Sequence, residues 1–211
     1  MVQLNRYNHR YHFKYQTMRF FIFLAISIVS LSAFGQMSSS FKVGDDAPLF
    51  EGADQNGKMI SLEQQLEASE QVVLIFYRGA WCPYCKKHLS EVQENFQAIL
   101  DKNSSVIVVT PEKAGSIEKM VSKTGATFSI LHDEDYKIMK AYNLDFKIDK
   151  ETVPRFYNYV LNGTREANEN EDDILPIPAT YVIDKNGKIK YLHFDEDYRN
   201  RSSIEDVLKN L

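Results

Sequence analysis

The sequence predicts an α/β domain with a central mixed β-sheet flanked by helices. Three observations support this prediction: apolar runs of strand length, amphipathic segments of helical spacing between them, and a hairpin signal near the C-terminus. Strands that alternate with helices pair in parallel through right-handed crossovers, whereas a hairpin adds an antiparallel pair. Few topologies satisfy this order of elements, and a thioredoxin-like fold is the natural one.

The first predicted strand is the apolar run QVVLIFY at 71–77, which is typical of a strand buried on both faces. A helix is predicted to begin at Pro83, because proline fits the first helical turn. Its apolar residues keep helical spacing as far as Leu100. A second buried strand is expected at 105–110, and a polar helix that ends in glycine at 112–125.

The second half of the chain completes the predicted sheet. Its expected elements are a strand at 128–131, a helix at 133–142, hairpin strands at 179–184 and 188–194, and a last helix at 204–211. The Lys-Asn-Gly sequence at 185–187 predicts the hairpin turn. Residues 143–177 are less regular. Within them, TREANENEDD at 164–173 is expected to be a solvated acidic loop and not a metal site.

Residues 18–35 are predicted to be a signal peptide. Arg19 supplies the positive start, an apolar stretch follows at 20–29, and Ala-Phe-Gly at 33–35 offers the small residues of a cleavage site. The apolar stretch is shorter than a membrane span usually requires. We therefore expect an exported protein of the bacterial periplasm or another extracytoplasmic space, anchored to the membrane if the signal is not cleaved.

Residues 1–17 are interpreted as an extension upstream of the true start, because Met18 begins a more usual signal peptide. A long positively charged leader is the alternative interpretation. Residues 36–211 are expected to form one thioredoxin-like redox domain. With 44% hydrophobic and 26% charged residues, the chain can bury the core of such a domain.

Composition excludes several classes of function. The formal net charge is −4 and no basic stripe is present, so nucleic acid is not an expected partner. Two cysteines cannot form the disulfide scaffold of a small secreted domain or a four-cysteine zinc site. Both cysteines lie in one motif, FYRGAWCPYCKKHL at 76–89, where the chemistry is therefore concentrated.

A C-x-x-C motif between a buried strand and a helix start favours redox chemistry. The helix N-terminus stabilises a thiolate, and the short spacing lets a disulfide form and break by exchange. We predict that Cys82 and Cys85 are catalytic and form a redox disulfide; two inert buried cysteines are the alternative. Trp81 is expected to shield one face of the pair.

Positive charge near the motif is expected from Arg78, Lys86 and Lys87. Local geometry favours Cys82 as the attacking thiol, because it precedes the helix and is expected to be the more exposed of the two cysteines. Cys85 is expected to face the core and to resolve the oxidised intermediate.

A metal site is a weaker interpretation of the same motif. Cys82, Cys85 and His88 are spaced three residues apart and offer soft ligands to copper or zinc. C-type haem attachment needs a histidine where Lys86 stands. His88 is expected to be a surface or capping residue.

Four segments, in this order, resemble those of one protein family. They are FKVGDDAPLFEGADQNGKMISL (41–62), VVLIFYRGAWCPYC (72–85), FSILHDEDYKIMKAYNL (128–144) and LPIPATYVIDKNGKIKYLHFDEDYRNR (175–201). The resemblance is to the alkyl hydroperoxide reductase/thiol-specific antioxidant (AhpC/TSA) family, in its peroxiredoxin-like branch. It implies a thioredoxin-like fold and supports an active-site role for Pro178, as a cis-proline facing the cysteines. Without the resemblance, this proline would only start a strand.

The chain departs from the family pattern at the active site. The peroxiredoxin motif P-x-x-x-T-x-x-C, laid over 78–85, meets Arg78 in place of proline and Cys82 in place of threonine. This overlay makes Cys85 the attacking cysteine, the reverse of the order that local geometry favours. A later active-site arginine of the family falls at Pro178. The cysteine and proline replacements are those of a thioredoxin-like disulfide reductase.

Three functions therefore remain open. The leading interpretation is a thiol-dependent antioxidant oxidoreductase, a peroxiredoxin-like thiol peroxidase that reduces hydroperoxides through Cys82 and Cys85. The alternative is a thioredoxin-like periplasmic protein-disulfide reductase, and the third is a copper or zinc carrier. Because the chain has no third cysteine, an external thiol reductant of thioredoxin type is an expected partner. No cofactor is predicted, and membrane contact is expected only through an uncleaved signal.

Overall fold

The computed structural model describes residues 40–151 and 153–211. The predicted signal peptide at 18–35 and the extension at 1–17 lie outside these residues. The elements in chain order are β1 (Glu51–Ala53), β2 (Met59–Ser61), α1 (Leu62–Ala68), β3 (Gln71–Phe76), α2 (Pro83–Glu94), α3 (Phe96–Leu100), β4 (Ser104–Thr110), α4 (Ala114–Thr124), β5 (Ser129–His132), a 3-10 helix (Glu134–Tyr136), α5 (Lys137–Ala141), β6 (Asp145–Lys147), α6 (Tyr157–Asn168), β7 (Ile174–Pro176), β8 (Ala179–Asp184), β9 (Ile189–Phe194) and α7 (Ile204–Asn210).

A five-stranded mixed sheet in the order β5-β4-β3-β8-β9 forms the centre of the domain. β3 pairs in parallel with β4 and antiparallel with β8, with Phe76 opposite both Val109 and Ala179. β8 and β9 form the antiparallel hairpin that the turn at 185–187 predicts. This arrangement confirms the predicted α/β class and the mixed sheet.

The unbroken apolar run of β3 supplies core to both faces of the sheet, because successive side chains point to opposite sides. Val72, Leu74 and Phe76 pack with α1 and α5 residues on one face. Val73 and Ile75 pack with α2 and α4 residues on the other. Both cysteines belong to this second cluster, so the redox motif lies on the face covered by α2 and α4.

Two predicted helices are divided in the structure. The helix that begins at Pro83 ends at Glu94, and α3 follows after Asn95, whose φ of −107° and ψ of 11° depart from helical values. The helix expected at 133–142 is interrupted because Asp135 and Tyr136 adopt positive φ.

The expectation of a loop at 164–173 is wrong for its first half. Thr164 to Asn168 form the last turns of α6, and both of these residues are buried. The helix buries Val160, Thr164 and Ala167, a face of small and polar residues that hides its helical spacing in the sequence. Arg165 then closes the following loop by binding Asp173, with Nε 2.6 Å from Oδ1.

The segment from β6 to β7 forms a small core of its own. Ile148, Val160 and Leu175 are its buried members, and Trp81 of the redox motif packs against them. The described residues of this irregular stretch therefore pack as part of the domain and reach the cysteine site. In the described part of the chain, no helix is both long and apolar enough to cross a membrane.

Candidate active site

The cysteines lie where the chain leaves β3 and enters α2. Cys82 is the N-cap residue of α2, with an extended backbone, and Pro83 occupies the first helical position as predicted. The backbone N–H of Cys82 donates to the carbonyl of Gly79 (3.0 Å), which closes the turn ahead of the helix. Both thiols are therefore close to the positive end of the helix dipole.

Both cysteines are free thiols, and each is only 1% exposed. The expectation that Cys82 is the more exposed thiol is wrong. The neighbouring Trp81 is covered by α6, a segment far away in sequence: the Tyr159 hydroxyl donates to the Trp81 carbonyl (2.8 Å), and the two rings meet edge to face. Local spacing alone could not predict this cover.

The two thiols have opposite shifts in pKa. Hydrogen bonding to the Cys85 thiol, together with the Cys85 backbone N–H and the charges of Arg78 and Arg201, lowers the pKa of Cys82 to about 6, although burial opposes this shift. Burial raises the pKa of Cys85 well above its ordinary value, and the interaction with Cys82 adds to the rise. At neutral pH the pair is therefore a Cys82 thiolate beside a protonated Cys85.

Arg78 is a buried cation held between two aromatic rings. Its guanidinium carbon lies 5.0 Å from the ring centre of Trp81 and 4.2 Å from that of Tyr198, and the residue is 2% exposed. Cation–π contact partly replaces the hydration that the guanidinium loses. Burial lowers the pKa of Arg78, while the neighbouring cysteines oppose this shift.

Arg201 is a second site residue, which the sequence analysis missed. It lies between β9 and α7, and its Nη2 donates to Sγ of Cys85 at 3.5 Å. Positive charge at the cysteines thus comes from Arg78 and Arg201. Lys87, which was expected to contribute charge, points outward and pairs with Glu91 (3.6 Å). No spacing in the sequence links Arg201 to the motif.

His88 is buried, so the expectation of a surface or capping histidine is wrong. Its Nε2 lies 3.3 Å from the Ser202 hydroxyl, which also donates to the Thr180 hydroxyl (2.9 Å). Burial, and then the charge of Arg201, lowers the pKa of His88 to about 4, so the ring is neutral at pH 7. Within the described ranges, no group of three or more histidine, cysteine or acidic side chains could hold a metal.

Glu112 is a buried acid that the sequence analysis also missed. It follows the end of β4 and accepts hydrogen bonds from the Tyr77 hydroxyl and the Ala80 backbone N–H, both at 2.7 Å. Burial raises its pKa to about 7. The available signal was an acid two residues after β4. Because β3 and β4 are parallel neighbours, this acid lies at the same sheet edge as the motif.

Two glycines make room for the Trp81 side chain. A Cβ on Gly79 would meet the indole Nε1 too closely for a real contact, and a Cβ on Gly163 of α6 would lie 2.9 Å from ring carbons. The indole therefore lies against the backbone of its own turn and the backbone of α6. That Trp81 shields one face of the cysteine pair stays a prediction.

Pro178 is buried directly before β8, at the end of the sheet where the chain leaves β3 for the cysteines. Its predicted cis bond is wrong: no peptide bond between described residues is cis, so the Ile177–Pro178 bond is trans. The strand-starting arrangement that the sequence alone favoured is the one observed.

Comparison with known proteins identifies the family and the fold. The AhpC/TSA family model matches residues 43–192. Peroxiredoxin Q of Oryza sativa subsp. japonica, a chloroplastic protein, is 27% identical over 168 residues, which cover 80% of this chain and 65% of that protein. The chain thus spans just under two thirds of that relative's length. Thiol-disulfide oxidoreductase ResA of Bacillus subtilis (strain 168) is 23% identical over 180 residues, 81% of this chain and 82% of that protein.

Solved structures show the same fold. Peroxidoxin BcpB from Mycobacterium tuberculosis superposes with a TM-score of 0.61 at 18% identity, covering 81% of this chain and 96% of that one. The reduced 2-Cys peroxiredoxin of Plasmodium vivax gives 0.58 at 18% identity, covering 80% and 93%. The predicted thioredoxin-like fold is therefore confirmed.

Proposed function

We propose, since this chain belongs to the AhpC/TSA family, that it is a thiol peroxidase in which Cys82 attacks the hydroperoxide and Cys85 resolves the product. One observation carries the proposal: two adjacent thiols have pKa values shifted in opposite directions. A peroxidase needs a thiolate to attack and a second thiol to close the disulfide. Similarity to peroxiredoxin Q proteins supports the same activity.

The first step is attack of the Cys82 thiolate on the terminal peroxide oxygen. The sulfur–oxygen bond forms as the oxygen–oxygen bond breaks, and the leaving alkoxide takes a proton and departs as an alcohol or water. Cys82 is oxidised to a sulfenic acid. Arg78 and Arg201 favour this step because they stabilise the attacking thiolate.

In the second step, Cys85 attacks the sulfenic sulfur of Cys82. The disulfide forms, and the Cys85 proton leaves with the hydroxyl group as water. An external dithiol of thioredoxin type then reduces the disulfide, because the chain has no third cysteine. The assignment of attack to Cys82 is supported by its lowered pKa and not by exposure, and it reverses the order of the peroxiredoxin overlay.

Rapid mixing of the reduced protein with hydrogen peroxide tests this proposal. Trp81, the one tryptophan in the chain, adjoins Cys82 and reports its oxidation by fluorescence. We expect oxidation far faster than that of free cysteine, retained in Cys85→Ser and lost in Cys82→Ser. A wild-type rate equal to that of free cysteine would overturn the peroxidase proposal for this substrate.

The second candidate is a protein-disulfide reductase. Similarity to ResA supports it, as does a C-x-x-C pair whose first cysteine caps a helix. Reduction of insulin disulfides by the reduced protein distinguishes the candidates. Rapid insulin reduction without fast peroxide consumption favours the reductase. Fast peroxide consumption without rapid insulin reduction favours the peroxidase. The third candidate, a copper or zinc carrier, has the least support because His88 neighbours Ser202 and does not join the cysteines in a ligand group.

Export is also part of the proposal, supported by the signal pattern at 18–35. Expression of the full chain in a bacterium, followed by fractionation and N-terminal sequencing, is the test. We expect an extracytoplasmic product that begins at Gln36. A product that keeps residues 18–35 in the membrane fraction would indicate an uncleaved anchor, and a full-length product in the cytoplasm would contradict export.

A further inference from the structure

Two guanidinium groups at the cysteine site have N–H donors without acceptors. Nε of Arg78 and Nη1 of Arg201 are buried and have no hydrogen-bond partner. Throughout residues 40–151 and 153–211, neither guanidinium forms an ion pair with a carboxylate. Buried cations are normally paired, because losing hydration without compensation is costly. No carboxylate of the described residues therefore neutralises either of these two arginines.

Two acids near the site already have other partners. Asp197 is bound by Arg199, with Nε 2.8 Å from Oδ1 and Nη2 2.5 Å from Oδ2. Glu112 accepts hydrogen bonds from Tyr77 and from the Ala80 backbone N–H. One negative charge on which both arginines act is the Cys82 thiolate, whose pKa Arg78 and Arg201 lower.

Oxidation removes the negative charge that partly neutralises the two arginines. When Cys82 and Cys85 form a disulfide, the thiolate charge disappears and both guanidinium charges remain. Trp81 and Tyr198 contact Arg78 through their ring faces, whereas the N–H donors of a guanidinium lie in its own plane. The donor edge is the part that binds carboxylate and sulfate oxygens. Arg201 is partly exposed as a residue, although its Nη1 is buried, so the side of the pair nearer to solvent is that of Arg201.

We propose that Arg78 and Arg201 form a redox-linked oxyanion site, which binds one small carboxylate or sulfate ion in the disulfide state and releases it on reduction. The inference rests on the proposed role of Cys82 as the redox thiolate. In the balanced step, the disulfide takes two electrons and one proton from a thioredoxin-type dithiol. It becomes a Cys82 thiolate and a Cys85 thiol, and the ion leaves as the thiolate charge appears.

The midpoint potential of the Cys82–Cys85 pair tests this proposal. The protein is equilibrated with dithiothreitol redox buffers at pH 7, and sulfate or, in a parallel series, acetate replaces chloride at constant ionic strength. Release of one ion per two electrons predicts a potential that falls by about 30 mV for each tenfold rise in the ion above its dissociation constant. The sulfate and acetate series distinguish the two ion types.

Two matched variants test whether the dependence of the potential on the ion comes from Arg201. Arg201→Gln should abolish the dependence on the oxyanion, whereas Lys87→Gln, which removes an exposed cation, should keep it. A wild-type potential independent of both ions would overturn the proposal, as would an equal dependence in Arg201→Gln.

A second measurement needs no substitution. Sulfate or acetate should raise the melting temperature of the disulfide form more than that of the reduced form, since binding to one state stabilises that state. Equal shifts in both forms would contradict the proposal. Neither measurement uses peroxide turnover. The oxyanion proposal can therefore be contradicted while the peroxidase proposal stands, and the peroxidase proposal can be contradicted while the oxyanion proposal stands.

Discussion

The Glu112 carboxylate accepts a 2.7 Å hydrogen bond from the Ala80 backbone N–H, joining the end of β4 to the turn that precedes Cys82. The same carboxylate accepts from the Tyr77 hydroxyl. One buried side chain thus holds two points of the segment that leads to Cys82 and Cys85.

Removing the carboxyl group should destabilise the fold. Glu112→Ala leaves a buried N–H and a buried hydroxyl without an acceptor, each at a cost of about 1–3 kcal/mol. Glu112→Gln keeps one acceptor oxygen and should cost less. Urea unfolding gives the free energy of unfolding of both variants. The Tyr77→Phe variant, measured in parallel, shows how much of the loss comes from the tyrosine hydroxyl. Equal stability of Glu112→Ala and the wild type would contradict this role for Glu112.

Glu112 should also make stability depend on pH. Its folded-state pKa of about 7 lies above its ordinary value of 4.5, so the folded state binds the proton more tightly than the unfolded state. This stabilisation is fully present below pH 4.5 and is lost as pH rises through 7. Comparing urea unfolding of the wild type and Glu112→Gln from pH 4.5 to 8 isolates the contribution. If the difference in free energy of unfolding between the wild type and Glu112→Gln is constant across this pH range, Glu112 does not make the stability depend on pH.

The reactivity of Cys82 should follow its lowered pKa. We expect the rate of alkylation by iodoacetamide to be half-maximal near pH 6 and to reach a plateau above it. Cys85→Ala removes the largest stabilising contribution, so it should move the midpoint to higher pH. Lys87→Gln is the matched control and should leave the midpoint unchanged. A wild-type midpoint above pH 8 would be inconsistent with the thiolate assignment.

Arg78 should act on Cys82 mainly through its charge. Arg78→Met keeps an unbranched side chain between Trp81 and Tyr198 but removes the positive charge, so the pKa of Cys82 should rise. Below that pKa, the rate of reaction with peroxide should fall by about tenfold for each unit of the rise. Stopped-flow rates between pH 5 and 8 measure the loss. If Arg78→Met slows the reaction equally at every pH, the positive charge of Arg78 does not act by lowering the pKa of Cys82.

Gly163 should be intolerant of a side chain. Gly163→Ala places a Cβ 2.9 Å from the Trp81 ring, and overpacking of this kind typically costs about 1–3 kcal/mol. We expect lower stability and altered Trp81 fluorescence. Gly115→Ala in α4 is the matched control, because its Cβ would meet nothing within 4 Å. That substitution should be neutral or stabilise by about 0.4–1 kcal/mol.

The parts of the fold that the sequence predicted are those with strong local patterns. β3, β8 and β9 follow apolar runs or a Lys-Asn-Gly turn, and α2 begins at its proline as expected. Helix α6 was missed because its buried face includes Thr164, Ala167 and Asn168, which do not form an apolar stripe. Its burial depends on tertiary contacts and not on hydrophobic periodicity.

The chemical core of the site was predictable, and its surroundings were not. The C-x-x-C spacing predicted Cys82 and Cys85 as the reactive pair, and adjacency in the sequence added Arg78 and Trp81 as supporting residues. Arg201 contacts Cys85 across 116 residues of sequence, and Tyr159 of α6 binds the Trp81 carbonyl across 78. Long-range contacts of this kind leave no local pattern, so neither Arg201 nor the burial of Cys82 could be anticipated.

The most direct test of the account is to identify the cysteine that first carries a sulfenic acid. Reduced Cys82→Ser and Cys85→Ser are mixed with one equivalent of hydrogen peroxide in the presence of dimedone, and the adducts are located by mass spectrometry. We predict a rapid adduct on Cys82 in Cys85→Ser and almost none on Cys85 in Cys82→Ser. A rapid adduct on Cys85, with Cys82 unmodified in the other variant, would contradict the assignment and restore the order of the peroxiredoxin overlay.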